Sequence, residues 1–324
     1  MSRSWVFFIF IKLLASLVVV ALLVEGLGWA VRDIPPSRHP LDKLVFALDN
    51  VTLNAPVILA GDSVTQDLVN TYSISRDENI ANLTTNAASG MVGLLFILQR
   101  YLFNNSLPKH VVLAATPYFV GFVPEDGTYE TYIRSVFTRD SERAWLREHE
   151  LDDGGASWKP AILKLENAIL DPVVGGLQTV PIKLPGKGYA LRKDIAPESP
   201  GGNAVSQEEL REYAKTEAQI GPVAEKAIRD ICLLLAENDV VFHLLWAPIP
   251  KTIYVKWQQT RYLHRMETTI LQAGGTDCAA IQLGDFNSTK SYPDHAFRDP
   301  NHLRRPGWVV AYGHAMAAYL EGLY

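Results

Sequence analysis

Apolar residues in this chain come in three kinds of run. The first is long and nearly unbroken: Trp5–Val24 carries a single charge, Lys12. As a helix rising ~1.5 Å per residue it reaches ~30 Å, the thickness of a bilayer's hydrocarbon core. The second kind is short and continuous, and reads as strands buried on both faces. These runs are 56–61 (PVILAG), 79–85, 109–115, 240–246 and 278–283. The third kind has helical length: 64–72, 91–103, 206–237, 257–273 and 307–320. Ser206 followed three residues on by Glu209 is a capping-box start for one of them. Strands that alternate with helices predict an α/β fold, a parallel sheet covered on both faces.

Breakers divide the chain further. Residues 33–55 contain Pro35, Pro36 and Pro40 and read as a stalk. Residues 123–205 carry Gly154-Gly155, Gly175-Gly176 and Pro200-Gly201-Gly202, with a helix expected near 160–170. That stretch is too long for an ordinary connection and reads as an insertion. The expected organisation is an anchor over 1–32, a stalk over 33–55, and one α/β domain over 56–324 with its insertion at about 123–205.

For the N-terminal run, a cleaved signal peptide and a buried core helix are the alternatives to a membrane anchor. The run exceeds the usual signal core, and Gly28-Trp29-Ala30 is a poor cleavage site. Arg3 ahead of the run favours a cytoplasmic N-terminus, which puts the rest of the chain outside the cytoplasm as a single-pass protein. The net charge is −5 over 324 residues. The first 32 residues carry +2, leaving −7 on the exported part. This balance disfavours nucleic acid as a partner. Two cysteines, Cys232 and Cys278, exclude a disulfide scaffold and read as separate buried thiols, with pairing open to them in an oxidising compartment. The eight histidines are dispersed with no His-Glu-x-x-His, and no glycine loop is built to cradle phosphate. Neither a metal nor a cofactor is expected.

Active sites of parallel sheets collect at the carboxyl ends of strands. The first strand runs into Gly61-Asp62-Ser63, which puts a serine at a helix start, where unpaired N–H groups favour negative charge. The plain alternative is that Ser63 or Asp62 only caps that helix. The second strand runs into Asn86–Gly90, and the N–H of Gly90 is a candidate oxyanion donor. Asp299-Pro300-Asn301-His302 stands before the last helix and can supply a base with its orienting carboxylate. Asp294-His295 is a competing pair of the wrong spacing.

In order and spacing these three blocks resemble the SGNH/GDSL hydrolases, over about 55–122 and 206–320. The resemblance implies a three-layer, flavodoxin-like α/β/α domain with Ser63 as nucleophile, His302 as base and Asp299 as its orienter. It implies an oxyanion hole formed by Ser63, Gly90 and a third-block asparagine. Here the third strand ends Ala115-Thr116-Pro117, so Thr116 is the nearest substitute for that asparagine. An anchor with an external domain and a long insertion is similar to periplasmic alginate acetylation proteins and the D-alanine transfer protein of teichoic acid synthesis. By that likeness the chain would O-acylate a cell-envelope or exported polysaccharide, with acetyl the expected group. A multi-pass membrane acyltransferase would be its donor partner, in the periplasm of a bacterium whose inner membrane holds the anchor. An anchored esterase and a non-catalytic glycan-binding subunit are the other readings. Tyr118, with Phe119, Phe122 and Trp158, is a candidate groove for the acceptor. Arg304, with Arg305, is a candidate contact to an anionic glycan. His243 and Trp246 read as packing.

Overall fold

The computed structural model describes residues 12, 16, 40–71, 79–85, 89–122, 133–134, 136–151, 204–276, 281–289, 292–304 and 307–323. Its contacts divide the chain into two compact units, Met1–Lys43 with Ser157–Thr179, and Leu44–Ala156 with Val180–Tyr324. The expected anchor over 1–32 and the expected helix near 160–170 lie outside the described residues, apart from residues 12 and 16. No helix among the described residues is long and apolar enough to cross a membrane. The second unit is the one in which a sheet forms.

Five strands, β1 (Val57–Gly61), β2 (Ile80–Thr84), β3 (His110–Ala115), β4 (Val241–Trp246) and β5 (Gln282–Asp285), pair in the order β2-β1-β3-β4-β5. Every pairing is parallel. The continuous apolar runs explain the interior: β1 is buried at every position, and β3 and β4 at all but their first. A parallel strand between two neighbours has no solvent face, so its residues do not alternate. β5, at the edge, is short and half-exposed.

The helices of the sheet are α1 (Pro40–Asn50), α2 (Ser63–Thr71), α3 (Gly90–Asn104), α4 (Pro117–Val120) and α5 (Asp140–Glu148), followed by α6 (Gln207–Tyr213) and α7 (Pro222–Ala236). After β4 come α8 (Lys251–Gln259) and α9 (Tyr262–Gly274), then α10 (Phe286–Thr289) and α11 (Gly307–Glu321). α2 packs with α11, while α7 packs with both α3 and α9. The chain steps one way from β1 to β2 and the other way from β2 onward. Right-handed crossovers therefore put α2 on the opposite face from α3.

Four expected elements differ. The stalk is not unstructured throughout: Pro40–Asn50 is helical, with Leu44, Val45, Ala47 and Leu48 buried. Proline at a helix's first position replaces an N–H that has no partner there anyway, so Pro40 starts this helix. The single helix expected over 206–237 is two, separated because Gly221 and Pro222 begin a new one with Pro at its first turn. The helix expected over 257–273 starts earlier, at Lys251, and breaks at Arg261, whose φ of 53° is left-handed. The strand expected over 278–283 lies later, at Gln282–Asp285, where it pairs with His243–Trp246.

Part of the expected insertion belongs to the domain itself. In α5, Glu142 is buried and accepts from Arg100 of α3 (Nη2 to Oε2, 2.8 Å) and from the N–H of Arg139. Arg100 also reaches Asp49 of α1 at 2.6 Å. The indole of Trp145 donates to Asp230 on α7. One guanidinium thus joins α1, α3 and α5. Cys232 on α7 is disulfide-bonded, and Cys278 is the one other cysteine of the chain. This corrects the expectation of two separate thiols.

His243 is packing, as expected, yet not apolar packing. It is fully buried in β4 and hydrogen-bonded to His110 (3.0 Å) and Tyr319 (2.8 Å). Burial, then the neighbouring His110, lowers its pKa to about 4. Trp246 is buried at the end of β4 with its indole N–H donating to Glu267.

The Arg100 junction generates a stability prediction. Removing one partner of a buried ion pair strands the other charge, at a cost of about 3–5 kcal/mol. Arg100→Met should lower the unfolding free energy measured in urea by that amount. The double variant Arg100→Met/Glu142→Leu, which strands no charge on Glu142, should recover part of it. Equal stability for the single variant and wild type would show that the junction does not hold these helices.

Candidate active site

The site forms where β1 and β3 end, on either side of the point at which the strand order reverses. The backbones crowd there. A Cβ on Gly61 would lie 2.1 Å from the carbonyl oxygen of Ala114, so only glycine fits between β1 and β3. The next residue, Asp62, is buried and caps α2: its Oδ1 accepts from the N–H of Val64 at 3.0 Å. Its Oδ2 accepts from both the N–H (2.8 Å) and the hydroxyl (2.7 Å) of Thr116. Burial raises the pKa of Asp62, and the bonds from Thr116, Val64 and Thr65 oppose that rise. Of the two capping candidates, Asp62 is the one that caps, which leaves the Ser63 side chain available.

Ser63 opens α2 and lies 2.9 Å from His302 (Oγ to Nε2), a residue far along the chain. His302 Nδ1 lies 2.9 and 3.0 Å from the two carboxylate oxygens of Asp299. A carboxylate only accepts, so the ring proton sits on Nδ1 and Nε2 holds a lone pair toward the serine hydroxyl. The loop that carries both residues explains their spacing. Phe297 and Leu303 pair antiparallel at its neck. At its tip Asp299 Oδ1 accepts from the N–H of Asn301 and of His302, each at 2.9 Å. A carboxylate that folds its own turn is placed beside the side chain three residues on.

The electrostatics follow from these contacts. Burial alone would raise the pKa of Asp299, but the bonds from His302 and Asn301 outweigh it and hold the value at about 2. Burial alone would lower His302, but the hydrogen bond and charge of Asp299, with the charge of Asp67, raise it above its ordinary value. Asp299 is thus an anion across the whole physiological range, and His302 stays more basic than a free imidazole.

The other expected residues divide. Gly90 opens α3 with φ +53°, where a side chain would be strained, and a Cβ there would sit 3.1 Å from the Phe122 ring. Asn86, Trp158 and Arg305 lie outside the described residues. The structure corrects the expectation for Thr116: both of its donors are directed at Asp62, so its hydroxyl is committed to the β1–β3 junction. Ser63, by contrast, occupies a first-turn position whose N–H has no acceptor within the helix. Tyr118 is 48% exposed on α4, whereas Phe119 beside it is buried. Arg304 follows the loop, with its N–H bonded to the carbonyl of Ala296. Asp294, from the competing pair, accepts instead from Thr252 and Gln207.

Sequence reasoning missed three residues. Arg298 bonds Asp67 on α2 at 2.8 Å and approaches Asp299 at 3.5 Å, tying the loop that carries Asp299 and His302 to α2. Asp67 stands four residues after Ser63, on the same helix face, and that spacing was its one visible signal. Tyr213 ends α6 and donates its hydroxyl to Asn301 Oδ1 at 2.7 Å. Burial pushes its pKa up to about 12, with Tyr118, Asp62 and Asp299 close enough to add to the rise. Among the described residues no group of His, Cys, Asp and Glu could hold a metal ion.

Comparison with known proteins adds little. No family model matches the chain. No curated protein matches it either. Among solved structures, the chain is similar to a Streptococcus pneumonia protein described as a proposed platelet activating factor, at 11% identity. The likeness covers 95% of this chain and 99% of that one with a TM-score of 0.40, too low to carry an argument.

Two measurements check the site. An NMR titration of His302 should show a midpoint above 6.5, falling in Asp299→Asn because the charge that favours the imidazolium is gone; an unmoved midpoint would remove Asp299 as its partner. Thr116→Val should cost about 1–3 kcal/mol in urea unfolding, the cost of leaving a buried acceptor short of a donor. Unchanged stability would show that the Thr116 hydroxyl is not committed to Asp62.

Proposed function

We propose that this chain is an SGNH-type serine acyltransferase that O-acylates an exported or cell-envelope polysaccharide, with acetyl as the transferred group. The observation that carries the reading is the relay from Ser63 through His302 to Asp299, at the carboxyl edge of a parallel sheet. Two further features support it. The strand order 2-1-3-4-5 is that of flavodoxin-like sheets, the architecture expected of such a domain. The disulfide at Cys232 suits an oxidising compartment, as does the apolar run at the N-terminus.

In this mechanism His302 Nε2 takes the proton of Ser63 Oγ as that oxygen attacks the acyl carbonyl carbon. Asp299 stabilises the imidazolium that forms. The N–H groups of Ser63 and Gly90 stabilise the oxyanion, without help from Thr116. The leaving group departs with the proton from Nε2, which leaves an acyl ester on Ser63. A sugar hydroxyl then gives its proton to Nε2 and attacks the ester. The acyl group passes to the sugar, and the proton returns to Ser63. A multi-pass membrane acyltransferase is the proposed donor partner, and the apolar run at the N-terminus the proposed anchor.

Hydrolysis uses the same residues with water as acceptor, and one observation favours it as a second reading. The side chains of His302 and Asp299 are 23% and 39% exposed, so water reaches the acyl-serine. The two readings give opposite outcomes in cells. Under the transferase reading Ser63→Ala accumulates normally and leaves the glycan unacylated, as does deletion of the gene. Raised acylation in both would favour the esterase. Normal acylation in Ser63→Ala, with loss on deletion, would sink both in favour of a non-catalytic subunit.

A further inference from the structure

A concavity opens at the same edge of the sheet, away from Ser63. It is an open cleft of about 390 Å³ between α8, α9 and the end of β5, lined by Trp257, Gln258, Arg261, His264, Glu267 and Asp285 among others. None of these belongs to the relay at Ser63. We propose that this cleft is a subsite for an uncharged sugar ring of the acceptor glycan, a few units along the chain from the ring being acylated. The proposal rests on the acyl-transfer reading for its substrate class, and on its own geometry for its place.

The lining fits a polyol. Hydroxyl groups both donate and accept, and the cleft offers donors (Arg261, Gln258) together with acceptors (Glu267, Asp285). The two carboxylates are held before any ligand arrives. Glu267 Oε1 accepts from the indole of Trp246 at 2.8 Å. Asp285 accepts from the hydroxyl of Tyr254 and from both the backbone N–H and the side-chain amide of Asn287, each at 2.8 Å. A carboxylate has about four lone-pair directions, so each keeps acceptor capacity toward the cleft. Fixed polar groups lose little freedom on binding. One arginine against two carboxylates leaves no field for a polyanion, which separates this cleft from a phosphate or polyuronate site. Its apolar wall is Trp257 and Leu263, and the buried indole N–H of Trp257 has no hydrogen-bond partner.

Position ties the cleft to the acyl site. Ser63 follows β1 and Asp285 ends β5, three strand spacings apart in the order β1-β3-β4-β5. At ~4.8 Å per spacing that is about 14 Å along one edge, within reach of a short oligosaccharide. Aromatic side chains bridge the gap. The Trp257 ring stands 6.3 Å from that of Tyr213. The hydroxyl of Tyr213 holds Asn301, the neighbour of His302. The turn that shapes the cleft carries Arg261 in a left-handed conformation, one that non-glycine residues rarely adopt.

The test titrates the full chain, as Ser63→Ala so that nothing is turned over, with cellohexaose, maltohexaose and mannohexaose. Tryptophan fluorescence and calorimetry are the readouts. At least one hexaose should bind saturably. The double variant Gln258→Ala/His264→Ala, at two exposed positions, should weaken that binding at least tenfold with an unchanged melting temperature. Binding that is equal in both proteins, or absent for all three sugars at millimolar concentration, would overturn the subsite. In parallel, the chain with Ser63 intact is assayed on 4-nitrophenyl acetate against Ser63→Ala. Ester turnover without sugar binding would sink the subsite and leave the acyl-transfer reading standing. Sugar binding that depends on Gln258 and His264, without ester turnover, would do the reverse.

Discussion

The candidate site hangs on one buried carboxylate. Asp62 stands between two chain segments that leave the sheet from adjacent strands, and it accepts hydrogen bonds from both. Through Val64 it starts α2, and through Thr116 it fixes the exit of β3. Moving an unpaired carboxylate into such a place would be costly, and here the donors around it counter part of that cost. Because Asp62 absorbs the capping role, the adjacent serine side chain is released for another use. Gly61 sets the same constraint from the other side: the backbones of β1 and β3 approach so closely that no side chain fits. The Gly-Asp-Ser run is therefore three answers to one crowded junction, with only the last side chain left facing His302.

That junction also explains why the relay joins residues so distant in the chain. α11 packs against α2, and the loop ahead of α11 is thereby delivered to the serine. Arg298 completes the delivery by pairing with Asp67 one turn along α2. The loop shapes itself, since Asp299 bonds the two N–H groups that follow it and presents His302 with its ring proton on the inner nitrogen. The helix that carries Ser63 and the loop that carries Asp299 and His302 are each locally determined, and only their docking depends on the whole fold.

Legibility in the sequence followed the same division. Continuous apolar runs located β1 to β4 because a strand buried on two faces needs nothing else to announce it. The Asp-x-x-His spacing was readable because that turn is local. The break between α6 and α7 was hidden: buried Leu210, Ala214 and Ala224 keep an apolar pattern going across the gap, and Gly221-Pro222 marks only where the second helix starts. The helix over 40–50 was masked by prolines that read as a linker although one of them starts it. Thr116 was assigned by position in a motif, and position says nothing of which acceptor a hydroxyl chooses. The Asp62 Oδ2 atom takes both donors. Tyr213 had no signal, because the residues that make it part of the site lie 88 positions away.

The committed Thr116 bears on which reaction such a site would favour. An oxyanion hole built from two backbone N–H groups lacks a donor that a third-block side chain could supply, and removing one such donor from a hydrolase costs on the order of 10²–10³ in rate. A site weakened in this way against a freely diffusing ester is not equally weak toward a glycan held beside it. Positioning the acceptor converts its attack into an intramolecular step, which can lower the barrier by several kcal/mol. The proposed contacts along the sheet edge, from Tyr213 to the cleft at β5, would supply that positioning and favour a bound hydroxyl over water. Under the proposed acyl-transfer reading, recognition of the acceptor would thus offset the donor that Thr116 does not supply.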